Sequence, residues 1–215
     1  MSRNVIFQIY QKLFRHYGPQ FWWPGKTKFE IIVGAILTQN TAWRNVEKAI
    51  KNLKDRKLLF PDKLFNLPVS DLANLIRPTG YYNIKAKRLK SFLEFLAKRY
   101  QFNLTRMNKT DTLTLRQELL SVKGIGEETA DSILLYAFNR PVFVVDAYTR
   151  RVFSRHKFFS SKATYSEIQK FFTANLPKDV KIYNEYHALI IRLAKEHCKK
   201  VPNCEQCPLA NMVAA

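Results

Sequence analysis

Apolar residues return every three or four positions along most of the chain. Ile6, Ile9, Tyr10, Leu13, Phe14 and Tyr17 form one such face near the start, Phe29, Ile32, Val33, Ile36 and Leu37 a second, and Tyr186, Leu189, Ile190 and Leu193 another near the end. Period-two alternation closed by hairpin turns is hard to find, and the run from Pro141 to Val145 is too short to anchor a sheet. The pattern predicts an all-α chain of about ten helices in one or two bundles. Breaks fall at Gly18 to Gly25, Leu67 to Ser70, Pro78 to Gly80, Gly124 to Gly126, Pro141, Pro177 and Pro202, with no low-complexity tract, obvious fixed-period repeat or linker to mark a domain seam.

One of these breaks has a distinctive form. A helical pattern ends at Leu119-Leu120-Ser121-Val122-Lys123, two glycines bracket Ile125, and the pattern resumes through Thr129, Ala130, Ile133 and Leu134. Glycine permits the positive φ or close approach that so tight a turn needs, while Ile125 points inward and pins the two helices. The backbone N–H groups opening the second helix then face outward, where they can hold a phosphate. This is a helix-hairpin-helix, which grips a duplex backbone without reading bases.

Charge makes that reading more pointed. The chain of 215 residues carries 36 Lys and Arg against 17 Asp and Glu, a net +19, and its 47% hydrophobic residues are enough for a real core. Such an excess points to a polyanionic partner, nucleic acid before an anionic membrane. No apolar run reaches about 18 residues and no secretory signal opens the chain, so a soluble, cytoplasmic and nucleoid-associated protein is expected. The three cysteines, Cys198, Cys204 and Cys207, cluster in ten residues, which suits a metal or cluster loop better than a disulfide framework.

The stretch Val122-Lys123-Gly124-Ile125-Gly126-x-x-Thr129-Ala130, followed by Val144-Val145-Asp146-x-x-x-Arg150-Arg151, resembles the endonuclease III superfamily of DNA glycosylases: a helix-hairpin-helix, a Gly/Pro-rich loop and an aspartate. Leu37-Thr38-Gln39-Asn40-Thr41, Gly80-Tyr81-Tyr82-Asn83-x-Lys85-Ala86-x-Arg88 and Cys204-x-x-Cys207-Pro208-Leu209 extend the resemblance over nearly the whole chain. It implies two helical domains with the active cleft between them. One, residues 27–141, is a helical barrel with the hairpin; the other, residues 1–26 plus 142–215, carries the aspartate and the cysteine loop. The implied partner is double-stranded DNA containing a damaged base, bound by a monomer with no membrane involved.

Breaking an N-glycosidic bond builds positive charge on the sugar, which a fixed carboxylate stabilises while it orients or deprotonates water. Asp146 matches the family's catalytic aspartate, and as an aspartate after an apolar run it also suits a helix N-cap. Bifunctional relatives carry a lysine two residues after the second hairpin glycine, where its amine forms a Schiff base; here that residue is Glu128, which implies a monofunctional enzyme. Adenine-mismatch relatives add a glutamate in the early helix to protonate the leaving base, and the matching position is Gly34.

A site without that acid suits a base that is already cationic, such as an N3- or N7-methylated purine. Trp22, Trp23 and Trp43, with Gln39 and Glu128, are the expected base pocket, in which two aromatic faces hold a flipped cationic base at roughly 0.5 to 2 kcal/mol per ring. Trp-Trp-Pro-x-x-x-Lys-Phe-Glu and Leu-Thr-Gln-Asn-Thr resemble the endonuclease III-like 3-methyladenine DNA glycosylase branch. Val122, Gly124, Ile125, Gly126, Thr129, Lys85 and Arg88 are the expected DNA contacts. The rival readings are an endonuclease III-type glycosylase and lyase for oxidised pyrimidines, and a non-catalytic DNA-binding module.

Iron-sulfur relatives end in four cysteines, whereas here Cys198-x5-Cys204-x2-Cys207 is followed by Val213 where the fourth is expected. Three readings stand: a cluster with an unusual fourth ligand, a loop that folds without metal, and a zinc site completed by a histidine. His197 is a weak candidate ligand, since it neighbours Cys198 on a helix and points elsewhere.

Overall fold

The computed structural model describes residues 4–23, 25–210 and 212, so Pro24 of the Trp-Trp-Pro motif and Val213 at the expected fourth cysteine lie outside the described residues. Twelve α-helices run through the described residues. They are α1 (Asn4–Tyr17), α2 (Lys28–Leu37), α3 (Trp43–Asp55), α4 (Pro61–Asn66), α5 (Val69–Leu75), α6 (Tyr82–Tyr100), α7 (Leu104–Met107), α8 (Thr112–Ser121), α9 (Glu127–Ser132), α10 (Ala147–Arg155), α11 (Tyr165–Asn175) and α12 (Val180–Glu196). A π turn, Ile133–Ala137, continues α9. No strand occurs among the described residues, and the run from Pro141 to Val145 carries no regular secondary structure. None of the described helices is long and apolar enough to cross a membrane.

The chain divides into two compact units, Met1–Trp22 with Pro141–Ala215, and Trp23–Arg140, so that Trp22 and Trp23 belong to different units. In the Trp23–Arg140 unit the core is mostly aliphatic. Thr27 caps α2 by accepting the Glu30 N–H at 3.1 Å, and Ile32, Val33, Ile36 and Leu37 of that helix are buried. Helix α6 buries Ala86, Leu89, Phe92, Leu93 and Leu96 and packs against α2, α4 and α5.

The other unit is held largely by rings. Phe143 stacks on Phe172 at 4.3 Å and 8°, and Phe153 meets Phe172 edge-on at 4.8 Å; such pairs add about 0.5–1.5 kcal/mol beyond their burial. Helix α12 packs on α1 and α10, and the Tyr186 hydroxyl donates to the Ile6 carbonyl at 3.0 Å. Thr164 and Glu167 cap α11 reciprocally, and Asp179 caps α12 through the Lys181 and Ile182 N–H groups. The ring stack fixes Phe143, and so the segment that leads to Asp146.

Candidate active site

Asp146 stands where that segment becomes α10. Val144 and Val145 are buried, and the Val145 N–H donates to the Tyr165 hydroxyl at 3.3 Å. Asp146 is the N-cap of α10: its Oδ1 accepts the Thr149 N–H at 2.7 Å, while Oδ2 lies 3.4 Å from Nε2 of His187 on α12. Both side chains are buried. Burial works against the charge on Asp146, but His187 and the Thr149 hydrogen bonds outweigh it and hold the carboxyl below its usual pKa. The carboxylate is therefore ionised at neutral pH, fit to stabilise positive charge and poor as a proton acceptor. His187 was not foreseen from the sequence. Its signal was slight, a histidine inside the apolar run from Tyr186 to Ile191.

The hairpin is built around an unforeseen polar clamp. Gln39 Nε2 donates to the Gly124 carbonyl at 3.0 Å and to Thr129 Oγ1 at 2.9 Å, and Gln39 Oε1 accepts from Arg88. Gly124 has φ +91°, and a Cβ there would run into the Arg88 side-chain stem, so glycine is required both by backbone and by neighbour. The side chains of Val122, Ile125 and Thr129 are buried. These side chains support the turn, as the inward-pointing Ile125 was expected to, and the hairpin's contact with a phosphate falls to its backbone. Gln39 and Arg88 are both half-buried and engaged in shaping the hairpin.

Lys85 departs from the surface contact expected of it. It is only 1% exposed, and its Nζ donates to the carbonyls of Leu37 at 2.9 Å and Thr79 at 2.7 Å. Burial, with the neighbouring Arg88, lowers its pKa to about 8. A lysine tied at the C-terminal end of α2 in this way is not a DNA contact; it satisfies helix-end carbonyls that would otherwise be orphaned.

Trp23 and Trp43 come together, with centroids 4.8 Å apart at 71°, and Tyr136 of the π turn stacks on Trp23 at 4.8 Å and 25°. A base held between two parallel faces needs two contact separations of about 3.5 Å each. The tryptophan pair leaves no such gap between its own two rings, which form one aromatic wall. A Cβ on Gly34 would lie 3.2 Å from Trp43 Cη2 and 3.4 Å from Trp23 Nε1, so the rings occupy the room a side chain would take. Trp22 is half-buried in the other unit, and Glu128 is exposed in the first turn of α9. Tyr136 was missed because its role depends on the π turn, which shifts side-chain directions within an otherwise regular apolar helix.

The cysteine loop is organised by arginines of α10. Arg151 Nε donates to the Cys198 carbonyl at 2.7 Å, and Arg155 reaches the carbonyls of Lys199 at 2.6 Å and Lys200 at 3.1 Å. Cys198 is buried with Sγ 3.3 Å from Arg155 Nη1, Cys204 is exposed, and burial raises the pKa of the Cys207 thiol. Among the described residues, no three or more His, Cys, Asp or Glu side chains stand together as a metal-holding group. Three thiols do not supply the four thiolates of a [4Fe–4S] cluster, so Cys198, Cys204 and Cys207 do not fit it as a conventional site.

Residues 33–178 match the family described as the HhH-GPD superfamily base excision DNA repair protein. A protein of Methanocaldococcus jannaschii, provisionally named a DNA repair glycosylase, is 54% identical over 208 residues, covering 96% of this chain and 94% of its own length. Endonuclease III of Sulfolobus acidocaldarius is 30% identical over 186 residues, with 85% and 81% covered. Among solved structures, the H. pylori 3-methyladenine DNA glycosylase bound to 1,N6-ethenoadenine has a TM-score of 0.78 at 30% identity, over 91% of this chain and 98% of that one.

Proposed function

Given that this chain belongs to the HhH-GPD superfamily of base excision DNA repair proteins and is a DNA glycosylase, we propose that it is a monofunctional enzyme for alkylated purines such as 3-methyladenine. It hydrolyses the N-glycosidic bond of a flipped base in double-stranded DNA and leaves an abasic site.

The observation that carries the substrate class is the packing at Gly34. Where the resemblance to adenine-mismatch relatives calls for a protonating acid, Trp23 and Trp43 fill the space, backed by Tyr136. Such a surface attracts cations and offers no proton. An N3- or N7-alkylated purine carries positive charge and departs as a neutral base, taking the electron pair of the broken bond, with no proton needed. The H. pylori relative acts on 3-methyladenine by name, which supports the same class.

The sugar left behind is an oxocarbenium-like cation, and the ionised Asp146 stabilises it electrostatically before water adds and sheds its proton to solvent. The lack of lyase chemistry is supported by Glu128, since a carboxylate forms no imine, and by Lys85, whose amine is buried against carbonyls. The endonuclease III relative keeps the bifunctional reading as the alternative to exclude.

The test is excision from duplexes carrying methylated purines, oxidised pyrimidines or an adenine mismatch, with and without alkaline cleavage of abasic sites. Release of methylated purine with nicks only after alkali is expected. Direct nicking at an oxidised pyrimidine, with a borohydride-trapped adduct, would overturn both the substrate class and the monofunctional assignment.

A further inference from the structure

Asp146 has a neighbour that the family motif does not name. Its two carboxylate oxygens face different partners: Oδ1 takes the Thr149 N–H inside its own helix cap, and Oδ2 faces Nε2 of His187, which arrives from α12, forty-one residues further along the chain. The cap alone would leave the carboxylate free to turn about its last torsion, because one hydrogen bond fixes one oxygen. The second partner fixes the plane.

The other charged groups around Asp146 are occupied elsewhere. On α10, Arg150 donates to the Ala163 carbonyl, and Arg151 reaches the carbonyls of Cys198 and Ala194. Tyr165 of α11 accepts from the Val145 N–H, and on α12 Tyr183 and Tyr186 are phenols whose ionisation burial opposes. His187 is the group whose charge acts on this carboxylate.

We propose that His187 is a positioning residue for base excision, holding Asp146 ionised and in one orientation through its Nε2–H. The inference rests on the reading of Asp146 as the catalytic carboxylate. It also settles which chemistry Asp146 performs. A carboxylate with both oxygens held in the ionised form stabilises a sugar cation already in place and is withdrawn from proton abstraction.

The test is single-turnover excision across pH 4.5 to 8.5, on the duplex that the wild type processes, for His187→Phe, His187→Gln and Asp146→Asn. His187→Phe is expected to move the acid limb of the rate to higher pH, so that excision falls more at pH 4.5 than at pH 8. Duplex affinity stays within about twofold, because His187 is buried away from solvent. His187→Gln, which keeps a donor, restores part of the loss.

An unmoved acid limb in His187→Phe overturns the inference while Asp146→Asn remains inactive; full activity in Asp146→Asn overturns the reading beneath it as well. If His187→Phe does not fold, the His187 ring nitrogens of the folded protein report instead. Their 15N chemical shifts, which report on the proton that Nε2 turns toward the carboxylate, must change in Asp146→Asn, and unchanged shifts refute the contact.

Discussion

Asp146 in one unit of this glycosylase and Lys85 in the other are both buried charges, and the two are treated in opposite ways. Asp146 is given a histidine and a helix-cap N–H, which together hold it ionised despite burial. Lys85 is given two neutral carbonyls, and its pKa falls to about 8. On the reading of Asp146 as the catalytic carboxylate, the difference separates a charge kept for use from a charge kept for architecture. A reaction that creates a cation needs a carboxylate whose ionisation is secured beforehand, whereas helix ends need only donors, and the lysine still donates after it loses a proton.

The largest consequence is kinetic. Asp146→Asn keeps the size of the side chain and an oxygen that can cap α10, but removes the charge. Excision should fall on the order of 10²- to 10³-fold or more, as for other lost electrostatic stabilisers, with duplex affinity largely retained. Single-turnover rates beside a binding titration check this, and equal losses in both would mean that Asp146 supports structure and not chemistry.

Lys85 predicts the reverse, a loss of stability that precedes any effect on chemistry. Lys85→Met keeps most of the stem and strands the Leu37 and Thr79 carbonyls, a cost of about 1–3 kcal/mol. Lys85→Ala should cost more, because a cavity opens against Leu89 and its neighbours. Urea unfolding measures both, and a Lys85 variant with wild-type stability but weakened DNA binding would restore the surface role first expected of it.

A smaller effect is expected at the hairpin. Gly124→Ala puts an L side chain at φ +91° and against the Arg88 stem, for about 1–2 kcal/mol by the cost of left-handed backbone alone. Pairing it with Arg88→Ala should recover only the collision and not the backbone share, so a double-mutant cycle read by thermal unfolding separates the two.

These contrasts show what the sequence made legible. The hairpin could be read because its demands are local: two glycines, one inward isoleucine and resumed periodicity. Asp146 could be read for the same reason, as an acid placed where a helix opens. Lys85 misled because its neighbours Lys87, Arg88 and Lys90 suggest a solvated basic face, although Lys85, Leu89, Phe92 and Leu96 share one helical stripe that the period of 3.6 already implies. His187 and the wall of Trp23, Trp43 and Tyr136 depend on contacts between residues 20 to 113 positions apart, which no local pattern encodes. Even there the residue types were informative; what the sequence lacked was their mutual orientation.

The smallest effect is the dependence of stability on pH, where the two buried charges differ in sign. For Asp146 the folded pKa lies below the unfolded one, so its contribution is complete above the ordinary carboxylate range and is lost as pH falls through the folded value. For Lys85 the folded pKa, about 8, lies below the unfolded 10.5, so between those values the unfolded chain binds more protons. Stability from this group therefore rises as pH climbs from about 8 to 10.5 and is flat below that window. Comparing wild type with Lys85→Met across pH 7 to 10.5 isolates it, since the shared tyrosines and other lysines cancel to first order. The wild type should gain stability relative to the variant as pH rises. A constant gap would mean that the two carbonyls stabilise the ammonium as fully as water does, and Lys85 would then join Asp146 as a charge the fold secures.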